Sequence, residues 1–455
     1  MRQNRFLTAV SFAFALFCLF VALTTSASAA SEEVIYSFQG GSDGAYPYSD
    51  LVADAAGNLY GTTEYGGTDG DWCNIGCGTV FELAPTKDGW RHQVLYRFNG
   101  NVNDGYSPQA GVVFDGAGNL YGTTTGGGSY NAGTVFELAP TSQGGWTKSI
   151  IYNFTGGTDG AYPATDLVFD AHGDIFGTAA TGGCGNHGCG AATPGRVGPA
   201  APQPCDDGCG TVFELTPQVD GSWTETTLHV FTAAPDGGVP SSRLILDSAG
   251  NVYGITEYGG TGSCGDSISF AIGGCGIIYE LTPNSGGTWT ETILYNFARG
   301  YGFGVYPSGE LLSDNDGHLY GTAQSGGDGF GTVFEFGNSQ KKGWQQNSLH
   351  IFYKNPDGTV PVGGVVVGRE HDLLGVTSSG GTNGAGIVFQ LQPAKDGWKE
   401  TILHSFGGSG DGATPQAGLV FDRNGDLYGT TQYGGTGSCS LRGNNGCGTV
   451  YEATP

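Results

Sequence analysis

Short runs of alternating apolar and polar residues, separated by glycine-rich turns, recur along the whole chain. One copy covers Val112–Asp115, Asn119–Thr124, Gly133–Leu138 and Trp146–Phe154, and each run is rich in valine, leucine, isoleucine, tyrosine or phenylalanine. Alternation with a period of two over such short runs is typical of half-buried β-strands. The pattern therefore predicts four short antiparallel strands per copy, of which the fourth is rich in aromatic residues.

The copies repeat seven times, at intervals of 54 to 77 residues. Self-similarity at a long period indicates a repeat architecture, and four antiparallel strands per repeat are typical of a propeller blade. A linear β-solenoid is the alternative, although its rungs are usually far shorter than these repeats. Each copy ends its fourth strand on a phenylalanine: Phe38, Phe98, Phe154, Phe231, Phe297, Phe352 and Phe406.

The two ends of the chain are out of phase with the repeat. Glu33–Phe38 reads as a fourth strand with no preceding three, whereas the last unit, Leu419–Pro455, has three strands and lacks the fourth. Joining the ends completes a blade and removes two unpaired sheet edges. We therefore predict an all-β domain over residues 31–455, a seven-bladed β-propeller closed by the N-terminal strand in the C-terminal blade.

Residues 1–30 have the pattern of a secretory signal peptide. Arg2 and Arg5 precede an apolar stretch that ends at the small residues Ala27-Ser28-Ala29-Ala30. A retained membrane anchor is the alternative. We expect cleavage, and we expect the mature chain to be secreted or periplasmic, with no further membrane span.

The chain is acidic, with a formal net charge of −25. Such a surface repels nucleic acid and anionic lipid, so we expect neither as a partner. We also expect a monomer without a cofactor, although a divalent cation such as calcium would suit the acidic surface.

Ten cysteines follow the predicted leader, and they cluster in four loops that each precede a third strand. An even number, local clustering and an export signal predict disulfides within each loop. Zinc ligation is the alternative for the shorter spacings. In the loop with four cysteines the connectivity stays open. The cysteines are Cys73 and Cys77; Cys184, Cys189, Cys205 and Cys209; Cys264 and Cys275; Cys439 and Cys447.

The repeat unit resembles a described bacterial repeat. Its strings F-x-G-G-x-D-G-x-x-P, L-V-F-D-x-x-G-N-L-Y-G-T-T and G-T-V-F-E-L-x-P are similar to the Gloeo/Verruco (GloVer) repeat and cover residues 34–455. The resemblance implies an exported bacterial protein of unassigned activity. It supplies no catalytic residue.

In an up-and-down blade, the loops between second and third strands share one face with the crossings between blades. These loops carry the cysteines and vary in length, so that face is the predicted functional surface. Six crossings carry an aspartate that we expect to circle the mouth of the central channel. The aspartates would bind a cation or basic ligand, or each would cap its own turn. They are Asp43, Asp104, Asp159, Asp236, Asp357 and Asp411.

Other residues depart from the repeat or recur within it. The fifth crossing lacks the aspartate and brings Arg299 and Tyr301, which with Trp72 are further ligand-binding candidates. A glutamate recurs in the third strand, and we interpret it as a structural hydrogen-bonding group. Three histidines take the place of a fourth-strand tyrosine, and we predict that they pack in its place rather than bind a metal: His229, His350 and His404.

No catalytic set emerges from these residues. We therefore predict a non-enzymatic binding module for a glycan or protein ligand at the cell exterior. A secreted hydrolase or lyase acting on carbohydrate or a small molecule is one alternative, and a structural envelope repeat protein is the other.

Overall fold

The structure is a computed structural model that describes residues 31–454 except 71–72, 184–207, 265–272, 301, 315–316, 328, 340–342, 354 and 409. The predicted signal peptide, Trp72, Tyr301 and the cysteines Cys184, Cys189 and Cys205 therefore lie outside the described residues.

The described chain forms seven antiparallel blade sheets, six of four strands and one of five, arranged as a seven-bladed β-propeller, which confirms the predicted fold. The N-terminal strand is β1 (Ser31–Ser37), and a short 3-10 turn follows at Gly41–Asp43. Blade 1 holds β2 (Val52–Ala53), β3 (Leu59–Thr63), β4 (Thr79–Thr86) and β5 (Gly89–Arg97). Blade 2 holds β7 (Val112–Phe114), β8 (Leu120–Thr124), β10 (Thr134–Pro140) and β11 (Trp146–Asn153), beside a ribbon of β6 (Gly105–Tyr106) and β9 (Gly126–Gly127).

The next three blades repeat this order. Blade 3 holds β12 (Val168–Phe169), β13 (Ile175–Ala179), β14 (Thr211–Pro217) and β15 (Trp223–Val230). Blade 4 begins with two short strands, β16 (Gly237–Pro240) and β17 (Ile245–Leu246), followed by β18 (Val252–Gly259), β19 (Ile277–Pro283) and β20 (Trp289–Asn296). Blade 5 holds β21 (Gly304–Ser313), β22 (Leu319–Gly326), β23 (Thr332–Ser339) and β24 (Gly343–Ile351).

The last two blades complete the ring. Blade 6 holds β25 (Gly358–Val367), β26 (Leu373–Gly380), β27 (Ile387–Ala394) and β28 (Gly397–Ser405). Blade 7 holds β29 (Val420–Phe421), β30 (Leu427–Thr431) and β33 (Thr449–Thr454), and its loop carries the ribbon of β31 (Ser440–Leu441) and β32 (Asn444–Asn445).

Strand β1 supplies the fourth strand of blade 7. It pairs antiparallel with β33, from Ser31 opposite Thr454 to Ser37 opposite Thr449. The predicted closure by the chain ends is therefore confirmed. Within the described ranges, no helix is long and apolar enough to cross a membrane.

Neighbouring blades are joined by a buried aromatic pair. The phenylalanine that follows each fourth strand packs edge-on against the aromatic residue in the third strand of the next blade; the ring centroids of Phe38 and Phe81, for example, are 5.1 Å apart. The seven pairs are Phe38–Phe81, Phe98–Phe136, Phe154–Phe213, Phe231–Tyr279, Phe297–Phe334, Phe352–Phe389 and Phe406–Tyr451.

The repeated glycine of the second strand makes room for this ring. A Cβ on Gly61 would lie 2.9 Å from Cζ of Phe81 and 2.9 Å from Cδ2 of Leu51. The same close approach recurs in the other six blades. The Leu-Tyr-Gly-Thr-Thr sequence therefore reflects packing of the aromatic ring onto the neighbouring strand backbone.

The crossings between blades carry a strained residue. The residue before the crossing proline has a positive φ in all seven blades, for example 59° at Tyr46 and 58° at Val360. A side chain at such an angle costs on the order of 1 kcal/mol. In return the Tyr46 N–H donates to the Cys447 carbonyl of the preceding blade at 2.7 Å, and each of the other six crossings makes the equivalent bond.

Closure predicts that the terminal blade interface is as well packed as an internal one. Phe38 and Phe98 are both fully buried, so Phe38→Ala and Phe98→Ala should each lower the free energy of unfolding by about 3 to 5 kcal/mol. Urea denaturation measures both, and Val219→Ala on an exposed turn is the control, expected within about 0.5 kcal/mol of the wild type. A small loss at Phe38 beside a large loss at Phe98 would contradict the closed ring.

Candidate functional site

The crossings and the loops between second and third strands lie together on one side of the propeller, which we call the loop face. In blade 1, Ala45 of the crossing pairs with Tyr65 at the start of the loop. The Gly67 N–H also donates to the Gly41 carbonyl at 2.7 Å. The loop face is thus built as the strand order predicts.

Disulfides hold the longer loops of this face. The pairs Cys73–Cys77, Cys264–Cys275 and Cys439–Cys447 are bonded, as local pairing predicts, and Cys209 is also disulfide-bonded. Their sulfurs lie beneath the next crossing, because a Cβ on Gly100 would meet Sγ of Cys73 at 2.9 Å and of Cys77 at 3.0 Å. The disulfide of this loop therefore packs against the crossing that follows it, and that of Cys439 and Cys447 does the same at Gly40.

The six crossing aspartates do not circle the channel mouth, and that expectation is wrong in its geometry. They lie within the crossings, several residues after the outermost strands end, but their carboxylates contact side chains of those strands and so lie between the outer edges of neighbouring blades. Asp43, for example, accepts a hydrogen bond from the hydroxyl of Tyr36 in blade 7 at 2.7 Å and lies 3.2 Å from Nδ1 of His92 in blade 1. The same placement holds for Asp104, Asp159, Asp236, Asp357 and Asp411.

Each of these carboxylates also caps its own turn. Asp43 accepts the Gln39 N–H at 2.7 Å, and Asp357 accepts the Tyr353 and Gly358 N–H groups, both at 2.8 Å. Although burial acts to raise it, hydrogen bonds from His92, Tyr36 and Gln39 hold the pKa of Asp43 below its usual value. These contacts support the turn-capping interpretation.

The recurrent glutamate of the third strand is likewise part of the framework. The hydroxyl of Tyr121 donates to Glu137 at 2.9 Å, and that of Tyr253 donates to Glu280 at 2.8 Å. Both bonds join the second and third strands of one blade, as expected for a structural hydrogen-bonding group.

The central axis is lined by a position that the sequence analysis missed. It lies three residues after the crossing proline. The residues around this position repeat from blade to blade, whereas the position itself varies among glycine, acidic and basic residues, and that variation could have revealed it in the sequence. From blade 1 to blade 7 the residues are Asp50, Gly111, Asp166, Arg243, Glu310, Gly364 and Gly418.

Charged side chains from four blades meet at this axis. Asp50 accepts the N–H of Gly418, and Asp166 accepts the N–H of Gly111 at 2.6 Å. Oxygens of Asp50, Asp166 and Glu310 lie within 4.8 Å of one another. The glycines leave space for these side chains to reach across to a neighbouring blade.

Arg243 supplies the opposing charge, with its guanidinium 3.7 Å from the Glu310 carboxylate. Burial and the nearby Asp166 raise the pKa of Glu310 to about 7, and burial with the charges of Glu310 and Asp166 raises the pKa of Asp50. The carboxylates in turn raise the pKa of Arg243 against the effect of its burial. Three carboxylates facing one guanidinium thus form a charged plug across the channel.

A polar mouth opens above this plug on the loop face. Gln109 donates to Glu64 at 3.0 Å, and burial raises the pKa of both Glu64 and Glu257. Burial and the charges of these two carboxylates raise the pKa of Tyr48 to about 12, while Arg442 acts to lower it. We call these five residues the axial mouth.

A pocket of about 320 Å³ lies at the junction of blades 4 and 5 on the same face. Arg299, Val305 and Tyr306 line it together with Cys264 and a glycine-rich wall at Gly326. A larger depression, about 500 Å³, lies over the hairpin turn Gln218–Ser222, but that turn alone lines it and we assign it no role.

The pocket is lined by residues at which the sequence departs from the repeat. Arg299 belongs to the crossing that lacks the aspartate, and its Nη1 donates to the Cys264 carbonyl at 3.3 Å. Tyr306 packs against Tyr258 with centroids 5.4 Å apart, next to Glu257 of the axial mouth. The loop-face pocket and the axial mouth are therefore neighbours.

Comparison with known proteins agrees with this architecture. The model of the Gloeobacter/Verrucomicrobia repeat family matches residues 20–190 and 267–455. The chain belongs to this repeat family. No curated protein matches the chain in sequence.

Two solved structures are similar to this repeat protein to different degrees. The structure of an ancestral GH74 enzyme aligns with a TM-score of 0.51 at 10% identity, over 92% of this chain and 48% of that chain, so this chain spans about half the length of the enzyme. A putative oxidoreductase (glucose dehydrogenase) from Thermus thermophilus aligns with a TM-score of 0.39 at 15% identity, over 93% of this chain and 100% of that chain.

The Gloeobacter/Verrucomicrobia repeat accounts for the framework of the blades, whereas the axial plug consists of departures from it. The raised pKa of Glu310 makes the plug sensitive to pH. The Glu310 carboxyl loses its proton near pH 4.5 in the unfolded chain but retains it to about pH 7 in the folded chain. The contribution of Glu310 to the free energy of unfolding therefore falls as the pH rises between these values.

Glu310→Gln removes the titrating group, so at pH 8 the variant should be more stable than the wild type, by on the order of 1 kcal/mol. At pH 5 the gain should be much smaller. Urea denaturation at both pH values measures the difference, with the exposed Glu370→Gln as control. A variant that loses more stability at pH 8 than at pH 5 would show that the ionised carboxylate stabilises the plug.

Proposed function

We propose that this protein is an exported binding module that recognises a glycan on its loop face, with the loop-face pocket as the central contact. The observation that carries the proposal is the pocket itself. It is formed where the repeat is broken, at the crossing that lacks the aspartate and carries Arg299, and the disulfide Cys264–Cys275 fixes its neighbouring wall.

The size and lining of the pocket suit a sugar. A volume of about 320 Å³ is at the lower end of small-molecule sites. Tyrosine offers a flat apolar surface with a polar tip, which matches a sugar ring that has an apolar face and hydroxyl edges. Arg299 adds hydrogen-bond donors for hydroxyl or carboxylate groups, and Phe303 of the same crossing is 42% exposed.

The sequence and the disulfides support a location outside the cytoplasm. A leader of signal-peptide character and loops closed by disulfides fit an oxidising compartment outside the cytoplasm. We propose a secreted or periplasmic protein that acts as a monomer. A purely structural envelope role would not explain why the sequence departs from the repeat at Arg299 and in the axial plug.

A second candidate function is hydrolysis of carbohydrate at the axial mouth. Glu64 and Glu257 have carboxyl pKa values raised by burial, and both lie close enough to Tyr48 to influence its pKa. Carboxylic acids with raised pKa values are suited to donate a proton to a leaving group. The fold likeness to the GH74 enzyme does not bear on this choice, since the two chains are 10% identical.

Glycan-array screening of residues 31–455, followed by calorimetric titration of each ligand found, tests the binding proposal. Arg299→Ala should weaken the affinity about tenfold or more, which corresponds to about 1.4 kcal/mol. Arg91→Ala, an exposed arginine on an outer strand, is the matched control and should bind as the wild type does.

Two results would overturn the proposal. If the protein turned over a polysaccharide, and Glu64→Gln or Glu257→Gln abolished turnover but not binding, the protein would be an enzyme. Protein capture that depends on Arg299, in the absence of any glycan bound on the array, would identify a protein ligand instead.

A further inference from the structure

The seven outer blade interfaces share one architecture but differ in chemistry. At each interface, an aromatic residue of one fourth strand meets a side chain from the fourth strand of the next blade, and at six of the seven the crossing aspartate joins them. Where the aromatic residue is tyrosine, the side chain from the next blade varies among histidine, lysine, glutamate and glutamine: His92, Lys148, Glu225 and Gln346.

Where the aromatic residue is histidine, the other two members are always aspartate and glutamate. This occurs three times, between blades 3 and 4, 5 and 6, and 6 and 7. In each set, one nitrogen and two carboxylate oxygens lie within 4.8 Å of one another. The sets are His229, Asp236 and Glu291; His350, Asp357 and Glu400; His404, Asp411 and Glu32.

The spacing of these atoms is mostly longer than that of hydrogen bonds. His229 Nε2 lies 3.4 Å from Asp236 and 3.8 Å from Glu291, and His350 Nε2 lies 3.5 Å from Asp357 and 3.8 Å from Glu400. Ligands held about 2.1 Å from a tetrahedral zinc ion are about 3.4 Å apart. The triads therefore have the separation of atoms that share an ion between them.

Buried atoms within the triads also have no hydrogen-bond partner. These are Nε2 of His229 and His350 and Oε1 of Glu291, Glu400 and Glu32. Glu32 is the clearest case, since its side chain is only 5% exposed and its other oxygen lies 3.7 Å from His404 Nε2. A buried carboxylate oxygen without a partner is costly, and a cation held by the triad would satisfy it.

We propose that the three His–Asp–Glu triads are metal sites, each of which binds a divalent transition-metal ion such as Zn²⁺ and joins the outer strands of two neighbouring blades. An imidazole nitrogen with two carboxylate oxygens is a suitable ligand set for such an ion, and water can complete the coordination. Each ion would add a link between the outer strands of two neighbouring blades.

The chain contains a matched interface for comparison. Between blades 2 and 3, Tyr152, Asp159 and Glu225 differ from a triad only in the tyrosine. There the tyrosine hydroxyl donates directly to Asp159 at 2.9 Å, and Thr227 donates to Glu225 at 2.9 Å. A histidine-to-tyrosine change in a triad thus produces a combination that the fold already accommodates.

The first experiment counts the ions bound by tag-free protein. The protein is treated with a chelator and titrated with Zn²⁺ in a calorimeter, and after dialysis its zinc content is measured by atomic emission. The wild type should bind three ions per chain, one for each triad. His229→Tyr, His350→Tyr and His404→Tyr should each remove one ion, and the triple variant should bind none. Zn²⁺ should also raise the melting temperature of the wild type and leave that of the triple variant unchanged.

A surface cluster provides the control for adventitious binding. Asp170, His172 and Asp174 also lie close together, but the His172 side chain is 83% exposed on a turn. His172→Ala should leave the count at three. The proposal would be overturned if the ion count fell with His172→Ala and stayed the same in the tyrosine variants. It would also be overturned if the protein took up no Zn²⁺ at all, and that result would point to a proton shared between the two carboxylates of each triad.

A gain of binding tests whether the triad is sufficient. Tyr152→His combined with Thr227→Ile gives the interface of blades 2 and 3 the residues found between blades 3 and 4, where Ile293 occupies the place of Thr227. This double variant should bind four ions, and its circular dichroism should match that of the wild type. A correctly folded variant that still binds three would contradict the assigned ligand set.

Discussion

The edge-on packing of a fourth-strand phenylalanine against the next blade is the contact on which the propeller depends. It recurs at all seven interfaces with centroids 5.1 to 5.4 Å apart, and both rings are buried at each. Such a pair is worth about 0.5 to 1.5 kcal/mol beyond the apolar area that it buries. Because every blade contributes one ring to each neighbour, the contact propagates around the circle and closes only when β1 joins blade 7.

Several repeated features follow from that one contact. The second-strand glycine lets the ring approach the backbone, as at Gly61. A β-bulge in every fourth strand, as between Val80 and Phe81 opposite Tyr96 and Val94, leaves one residue unpaired just before the polar aromatic position. A bulge redirects the side chains that follow it. The tyrosine or histidine and the phenylalanine two residues later can therefore both be directed toward the next blade.

The sequence was sufficient for the fold because the fold is specified repeatedly. The period, the strand alternation and the phase of the two ends each point to the same ring, and local pairing of the cysteines agrees at the three described disulfides. The candidate site was predicted less well. The crossing aspartates were assigned to the channel mouth, but each one turns its carboxylate back to the first residues of its crossing and to the tyrosine or histidine of the strand before it, at the outer edge.

A search for repeated residues could not find the axial residues, because this position differs from one copy of the repeat to the next. Asp50, Asp166 and Glu310 are separated by more than a hundred residues of sequence from one to the next, and only closure of the ring brings their carboxylates together. The same logic applies to the outer interfaces, where His229 and Glu291 come from different blades. A ring of similar blades brings one position of each repeat to a shared location, so a few substitutions at that position can build a site while the packing of the blades stays the same.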